Sequence, residues 1–430
     1  MKQQVYKMID EMKDSIISLG NELYKHPELG FKEFKSKEII VKELAKHDIT
    51  IDKEYFETGF EVSLGNGNGP VIGLIAELDA IKTAGHPYAD KDTHAAHTCG
   101  HSLQSTIMCG VIEALKQSNI MENVNGKVKV FFTPAEEFCD LEYRKELVKE
   151  GKIQKLSGKE NMLLNHCFDD CDILLSTHVM GESEYTYSVN STLAGFCYKK
   201  ITFVGKAAHA AVIPHLGVNA LNCFTLFQSA VGMLRETFVD EDKVRIHGMV
   251  TKGGDTVNSI PHEVVYECYV RSVNNDTILK LNKQLDITAK ACAEALNGSV
   301  VIENIPGYLP LIQDKKVNEI VNNAVLEFTT KDKVHYNEIS MAAGDVGDIC
   351  IFKPVIQLGF GGTRGRVHGT TFEVYDDEKA YIEPTKVVAS TVIELLTHPA
   401  TVKDIVDSYK PMMTMDEYKQ YLDGREEIIR

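Results

Sequence analysis

Cys99-Gly100-His101 puts a thiol and an imidazole two residues apart, and Glu136-Glu137, His178 and His368 follow further along the chain. Sulfur, nitrogen and carboxylate oxygen together make the mixed donor set that borderline divalent transition metals accept, whereas calcium and magnesium prefer oxygen alone. The two adjacent carboxylates come just after an apolar run, Val128 to Phe132, and point in different directions. One can bind metal while the other handles protons. The chemistry these groups fit is two-metal hydrolysis, in which ions about 3.5–4 Å apart polarise a carbonyl and bring the pKa of a water toward neutrality while a carboxylate takes its proton.

Each residue also has a plainer reading. A helical pattern starts directly after His101, so Cys99 sits near a helix N-terminus, where the dipole favours a thiolate. A Cys-His nucleophile is therefore a rival, and the three further candidate ligands favour metal over it. An isolated Glu-Glu is commonly a solvated acidic turn, and a lone histidine is commonly a satisfied one. His178 and His368 gain weight from their company. His94 and His97 read as loop residues, because Cys99 and His101 already fill that side. Cys167 and Cys171 have no second pair nearby and read as free thiols.

The elements that position these residues are legible as patterns. Val5, Met8, Ile9, Met12, Ile16 and Leu23 recur at helical spacing, and a second helix carries Phe34, Ile39, Ile40 and Leu44. Val71 to Leu78, Val128 to Phe132 and Ile173 to Val179 are short apolar runs separated by helical stretches such as Leu103 to Leu115, the pattern of parallel strands covered on both faces. Glu77, Asp79, Glu136, Glu137 and His178 all fall at or just past the C-terminal ends of those runs, the edge where ligands collect in open α/β sheets. From about residue 190 the order becomes strand (Tyr198 to Val204), helix (Val218 to Glu236), strand (Val244 to Val250), strand (Glu263 to Arg271), helix (Thr277 to Leu296) and strand (Ser299 to Glu303). That βαββαβ order is the ferredoxin-like split arrangement. The expected architecture is an α/β catalytic domain with a mixed, mostly parallel sheet, formed by residues 1–189 and 306–430, and interrupted by an inserted domain over 190–305. A final helix is expected from Pro384 to Leu396, and the Gly65-Asn-Gly-Asn-Gly-Pro70 run reads as a turn before a strand, not a phosphate loop.

With 430 residues, 43% hydrophobic and 25% charged, the chain has the composition of a folded two-domain protein. A net charge of -16 argues against nucleic acid or an anionic membrane surface as partner. No apolar window reaches membrane-spanning length. Ten irregularly spaced cysteines and an N-terminus rich in acids and amides suggest a reduced, cytoplasmic protein.

The motifs Ala76-Glu77-Leu78-Asp79-Ala80, His97-Thr-Cys-Gly-His101, Thr133-Pro134-Ala135-Glu136-Glu137, Thr177-His178-Val179, Gly205-Lys-Ala-Ala-His209-Ala-Ala, Gly253-Gly-Asp-Thr-Val-Asn258-Ser-Ile-Pro261 and His368 with Phe372 stand in the order found in the aminoacylase/carboxypeptidase group of dinuclear metallopeptidases. Within it the chain resembles the amidohydrolase branch, which contains aminobenzoyl-glutamate, indoleacetyl-amino-acid and hippurate hydrolases. The resemblance implies that Cys99 is the thiolate shared by two ions, that His101 and Glu137 bind one ion and His178 and His368 the other, that Glu136 is the general base, and that Asp79 orients the site. It also implies that the insertion is a lid and homodimerisation domain whose His209 contacts the substrate carbonyl in a partner's cleft. Asn258 and Arg271 carry an amide and a guanidinium able to hold a substrate carboxylate; a structural ion pair is the alternative for Arg271. The chain departs from the common pattern at Ser102, Glu77, the Gly344-Asp345-Val346-Gly347-Asp348 string and residues 138–170, which lack a Gly-rich stretch and look lengthened. Hydrolysis of N-acyl amino acids with two Mn²⁺ or Zn²⁺ ions is the expected activity. A dipeptidase of the same chemistry and a non-catalytic metal-binding relative are the alternatives.

Overall fold

The computed structural model describes residues 1–65, 68–425 and 427–429; residues 66 and 67, in the middle of the turn expected over 65–70, lie outside the described residues. The principal strands, in chain order, are β1 (Lys53–Tyr55), β2 (Gly59–Gly65), β3 (Val71–Glu77), β4 (Lys127–Thr133), β5 (Ile173–Val179), β6 (Tyr187–Val189), β7 (Gly195–Val204), β8 (Arg245–Lys252), β9 (Glu263–Ser272), β10 (Ser299–Pro306), β11 (Val334–Tyr336), β12 (Val355–Phe360) and β13 (Glu427–Ile429). The principal helices are α1 (Lys2–Glu11), α2 (Lys13–Tyr24), α3 (Phe34–Ala45), α4 (His101–Gln117), α5 (Leu141–Lys149), α6 (Gly158–Leu164), α7 (Ala220–Leu234), α8 (Asn275–Glu294), α9 (Lys315–Val325), α10 (Glu383–Thr397), α11 (Pro399–Ser408) and α12 (Met415–Arg425).

The chain divides into two compact units, one of Met1–Ser191, Ile312–Glu338 and Asp348–Met412 and the other of Thr192–Leu311, Ile339–Gly347 and Met413–Arg430. In the first, a mixed sheet runs β1-β2-β4-β3-β5-β12-β6-β11. Its centre, β4-β3-β5-β12, is parallel, and the antiparallel pairs lie toward the edges. The three central runs read from sequence are buried nearly throughout, as strands with both faces covered must be. α4 is buried on every side from His101 to Leu115, packed on β3, α2 and α10. Fully burying each of Leu103, Ile107, Val111, Ile112 and Leu115 stabilises by roughly 1.5–3 kcal/mol, so the helix that begins with His101 is held firmly.

In the second unit the antiparallel sheet runs β8-β9-β7-β10, with α7 and α8 on the face that buries Val264, Tyr266, Cys268 and Val270 against Phe227, Val231, Leu285 and Ala289. Alternate residues of β9 are buried, the period-two signal that made this unit legible. The fully buried Lys199 is neutralised by Asp286 and also meets Asn304, whose Nδ2 donates to Asp286 Oδ2 at 3.2 Å. Two segments assigned from sequence to the catalytic domain fall in this unit instead. Residues 339–347 include a backbone pair, Ile339–Ser340 with Thr192–Leu193, and β13 adds to the open edge of β10 as a fifth strand. Pairing of two or three residues leaves almost no periodic trace. All ten cysteines are free. Among the described residues no helix is long and apolar enough to cross a membrane.

Candidate metal centre

The ends of three parallel strands and the start of one helix build the centre. β3 ends at Glu77 with Asp79 just beyond it, β4 leads into Glu136-Glu137, β5 carries His178 next to its last residue, and α4 opens on His101. Gly100, the residue before α4, has φ +86°, and a Cβ there would lie 2.4 Å from Val179 Cγ1. Only glycine lets the helix start come this close to β5 in that conformation. Cys99 Sγ thereby stands 3.4 Å from His178 Nε2. His368 arrives on a loop whose backbone is tied to the Cys99 segment, its N–H donating to Thr98 O at 2.9 Å.

Two groups of candidate ligand atoms share Cys99: Cys99, His101 and His178 in one, Cys99, Glu137 and His368 in the other, with the atoms of each group within 4.8 Å of one another. The resemblance had paired His101 with Glu137 and His178 with His368; the structure pairs His101 with His178 instead, and His368 Nε2 with Glu137 Oε1 at 3.2 Å. Linear order along the chain does not reveal which loops face each other across the strand ends.

Ring orientation is set from behind. His101 Nδ1 lies 2.9 Å from Asp79 O, and His178 Nδ1 lies 2.8 Å from Val179 O, so each ring keeps its proton on Nδ1 and presents the Nε2 lone pair. Asp79 Oδ2 accepts the Glu137 N–H at 2.9 Å, fixing the carboxylate strand end as well. His101 Nε2 and Glu137 Oε1 are buried and make no well-formed hydrogen bond, although Glu77 Oε2 lies 3.2 Å from the first and His368 Nε2 3.2 Å from the second. Burial and the Glu137 charge push the Cys99 thiol well up. Burial works against charge on Glu137 too, but the neighbouring His368 and His101 rings hold it below the usual carboxylate range. A buried thiol and carboxylate beside a buried imidazole whose Nε2 makes no hydrogen bond are surroundings a divalent cation satisfies, and the residues present fit such ions.

The peptidase family M20/M25/M40 matches residues 73–394 of this chain, most of its length and every candidate ligand named above. The chain belongs to that family. M20 members are hydrolases acting on amide bonds. The chain is 26% identical over 402 residues to a hydrolase of Sinorhizobium fredii named as uncharacterized, spanning 90% of this chain and 95% of that protein. It is 28% identical over 264 residues to one of the subunits of the p-aminobenzoyl-glutamate hydrolase of Escherichia coli K12, spanning 59% of this chain and 50% of that protein. A dinuclear metal-binding M20 peptidase of Bacillus subtilis shares the fold, with TM-score 0.69 and 18% identity over 90% of this chain and 99% of the other.

Several residues that support this M20 centre were not read from sequence. Ala135, just before the Glu pair, has φ +54°, a conformation that costs a non-glycine residue on the order of 1–3 kcal/mol and persists only where neighbours enforce it. Glu33 accepts the Ala135 N–H at 2.9 Å, and burial with the Asp79 charge pushes its carboxyl up to about 7. Arg144, on α5 within residues 138–170, is 0% exposed. Its Nη2 donates to Glu137 O at 2.6 Å, and its Nη1 to Leu156 O at 2.8 Å and Ala135 O at 3.4 Å. The segment that lacks the Gly-rich stretch thus clamps the backbone on both sides of Glu136. Gln104 ties the end of β3 to β5 from α4, meeting Glu77 N, Glu77 Oε2 and Thr177 O. Lys159, also 0% exposed, neutralises Glu77 at 2.6 Å, and Glu77 Oε2 stands 3.2 Å from His101 Nε2. Nothing in a run such as Glu142-Tyr-Arg-Lys-Glu146 marks its arginine as buried.

Arg144→Lys keeps the charge but loses the planar fork that reaches several carbonyls at once. The expected result is a kcat about 10- to 100-fold lower, the scale of a misplaced reacting group, with KM and metal content near parental. A lower Tm with kcat unchanged would reduce Arg144 to a purely structural part.

His94 is exposed and His97 buried, and neither belongs to a candidate ligand group. In the second unit, His209 and Asn258 lie side by side: His209 forms a backbone bridge with Ser259, and Ala210 N–H donates to Asn258 O at 2.9 Å. Both lie beyond the end of the sheet where Val204 pairs with Glu263. Arg271 pairs with Phe196 at the opposite end, eight residues of β9 from Glu263, about 26 Å at roughly 3.3 Å per residue. Asn258 and Arg271 of one copy therefore do not meet on a single carboxylate. Arg271 instead donates to Met341 O at 3.0 Å and lies over the rings of Phe196 and Tyr269.

Proposed function

We propose that this chain hydrolyses the amide bond between an acyl group and an amino acid, releasing a carboxylic acid and a free amino acid, with an aminobenzoyl-glutamate-like compound as the model substrate. The carrying observation is Glu136: 7% exposed, its Oε2 is 3.7 Å from His101 Nε2, and it clusters with Glu77 and His101 rather than with Cys99, while its neighbour Glu137 is turned to His368. It is a carboxylate beside the ligands that is left to handle protons. Cys99, His101 and His178 would hold one Mn²⁺ or Zn²⁺ ion and Cys99, Glu137 and His368 the other; bound ions would supply Lewis-acid polarisation of the scissile carbonyl and a lowered water pKa. Glu136 takes the proton of the attacking water as the C–O bond forms and returns it to the amide nitrogen as the C–N bond breaks. Asp79 keeps His101 and the Glu137 backbone in place throughout.

His209 and Asn258 would contact the substrate carbonyl and carboxylate from a second copy of the chain; a carboxylate role for Arg271 beside an Asn258 then requires that second copy. Dimerisation through the second unit is supported by its open edge strand β8, with Met249 and Val250 exposed, and by Leu221, Leu226 and Met233 exposed on α7.

The test is turnover of Mn²⁺- and Zn²⁺-loaded protein on p-aminobenzoyl-glutamate, N-acetyl amino acids and unblocked dipeptides. Faster cleavage of acylated substrates supports this reading, and preference for free dipeptides transfers the chain to the peptidase alternative. Asn258→Ala should raise KM for substrates with a free carboxylate and leave their amides unaffected; equal losses on both would dismiss the carboxylate role.

A further inference from the structure

A separate group of metal-ligating side chains lies between α3 and α4. Glu43 in the last turn of α3, His47 just past it, and Glu113 near the C-terminal end of α4 place ligand atoms within 4.8 Å of one another. Glu113 is twelve residues beyond His101, about 18 Å along the helix, so this group is not part of the Cys99 centre. The Glu113 side chain is 2% exposed, and its Oε1 has no hydrogen-bond partner. Cys109, one turn earlier on α4, is fully buried and feels the charge of both carboxylates.

Two facing carboxylates with little access to water repel each other, and both lie toward the C-terminal, negative ends of their helices, where the macrodipole disfavours anions. Lys46 touches only the outer one, binding Glu43 Oε2 at 2.5 Å with its side chain 64% exposed, and its charge offsets Glu113 less than burial and Glu43 oppose it. Burial and the Glu43 charge push the Glu113 carboxyl up to about 8. Either a proton or a cation can relieve the group, and His47 favours the cation. Its Nε2 is 3.8 Å from Glu113 Oε2, too long for a hydrogen bond but within a few tenths of an ångström of the roughly 3.3–3.6 Å between two donors sharing a tetrahedral ion.

We propose that Glu43, His47 and Glu113 form a structural site for a divalent transition ion of the zinc or manganese type, which ties α3 to α4. An imidazole with two carboxylates suits such ions better than calcium or magnesium. Cys109 or water would complete the coordination.

The experiment counts ions by elemental analysis after chelator treatment, reloading with Zn²⁺ or Mn²⁺, and dialysis. His47→Ala and Glu113→Gln should each hold one ion fewer than the parent while keeping parental kcat. A Cys99→Ser/His368→Ala protein, with the catalytic centre disabled, should still bind one ion with a rise in Tm, and should lose both on adding His47→Ala. The proposal is overturned if His47→Ala binds as many ions as the parent, or if Glu113→Gln keeps the parental count and is more heat-stable with and without Zn²⁺, the result expected of a protonated Glu113. Should Glu113→Gln fail to fold, the half-buried His47 variant carries the count.

Discussion

Glu136→Gln should keep the metal and the fold and lose at least 10² to 10⁴ in kcat with KM little changed. General-base catalysis typically contributes this much, and at about 1.36 kcal/mol per decade it corresponds to roughly 2.7–5.5 kcal/mol of barrier. The amide has the size of the carboxylate and still hydrogen-bonds, so what is removed is the proton acceptor. Because Glu136 stands outside both Cys99 groups, ion content should not change. A group acting only in the transition state lowers kcat and kcat/KM together. The acidic limb of the pH–rate profile should vanish with it, since that limb reports the carboxylate and the water coupled to it as one titrating unit. Near-parental turnover in Glu136→Gln beside a dead, metal-replete Glu137→Gln would exchange the two roles, and activity in both would end the hydrolytic reading of this pair.

Cys99→Ser should weaken metal binding at least 100-fold, beyond the loss typical of removing a residue that only orients a ligand. Cys99 is the one residue common to both ligand groups, so its loss opens both. A thiol nucleophile would give the opposite pattern, with metal retained and activity gone. The electrostatics add a second readout. The free thiol is held well above its ordinary value by burial and by Glu137, so binding as a thiolate must release a proton. Apparent affinity therefore rises with pH, about tenfold per unit as long as pH stays below the thiol pKa, and Cys99→Ser should remove that part of the slope. Calorimetry in buffers of different ionisation enthalpy counts the protons. A variant that binds two ions as tightly as the parent, with the same proton release, would refute the shared-ligand assignment.

The parallel strands were readable because burial on both faces leaves apolar runs, and β9 because burial on one face leaves strict alternation. With the runs in hand, the edge where Glu77, Asp79, Glu136, Glu137 and His178 gather followed from chain direction alone. The grouping of the ligands around Cys99 did not, because it depends on loop paths across that edge. Arg144, Lys159 and Glu33 escaped for another reason: a charged residue in a polar stretch reads as solvated, and its burial shows only when the carbonyls or countercharges that compensate it are brought in from elsewhere. The positive φ of Ala135 has no sequence signature, since it is imposed by those same partners.

The strand order also bears on how the chain can reach this state during synthesis. β12 lies between β5 and β6 in the sheet, yet it is made after the whole of residues 192–311. The emerging chain therefore holds two strands apart for the one that must enter between them, a long loop closure of the kind that makes folding slow and leaves edges exposed meanwhile. His368 follows β12, so the second ligand group cannot close before β12 has been made. A nascent chain can offer an ion Cys99, His101 and His178, but the donors of the paired centre are all present only once β12 and the loop beyond it have been made.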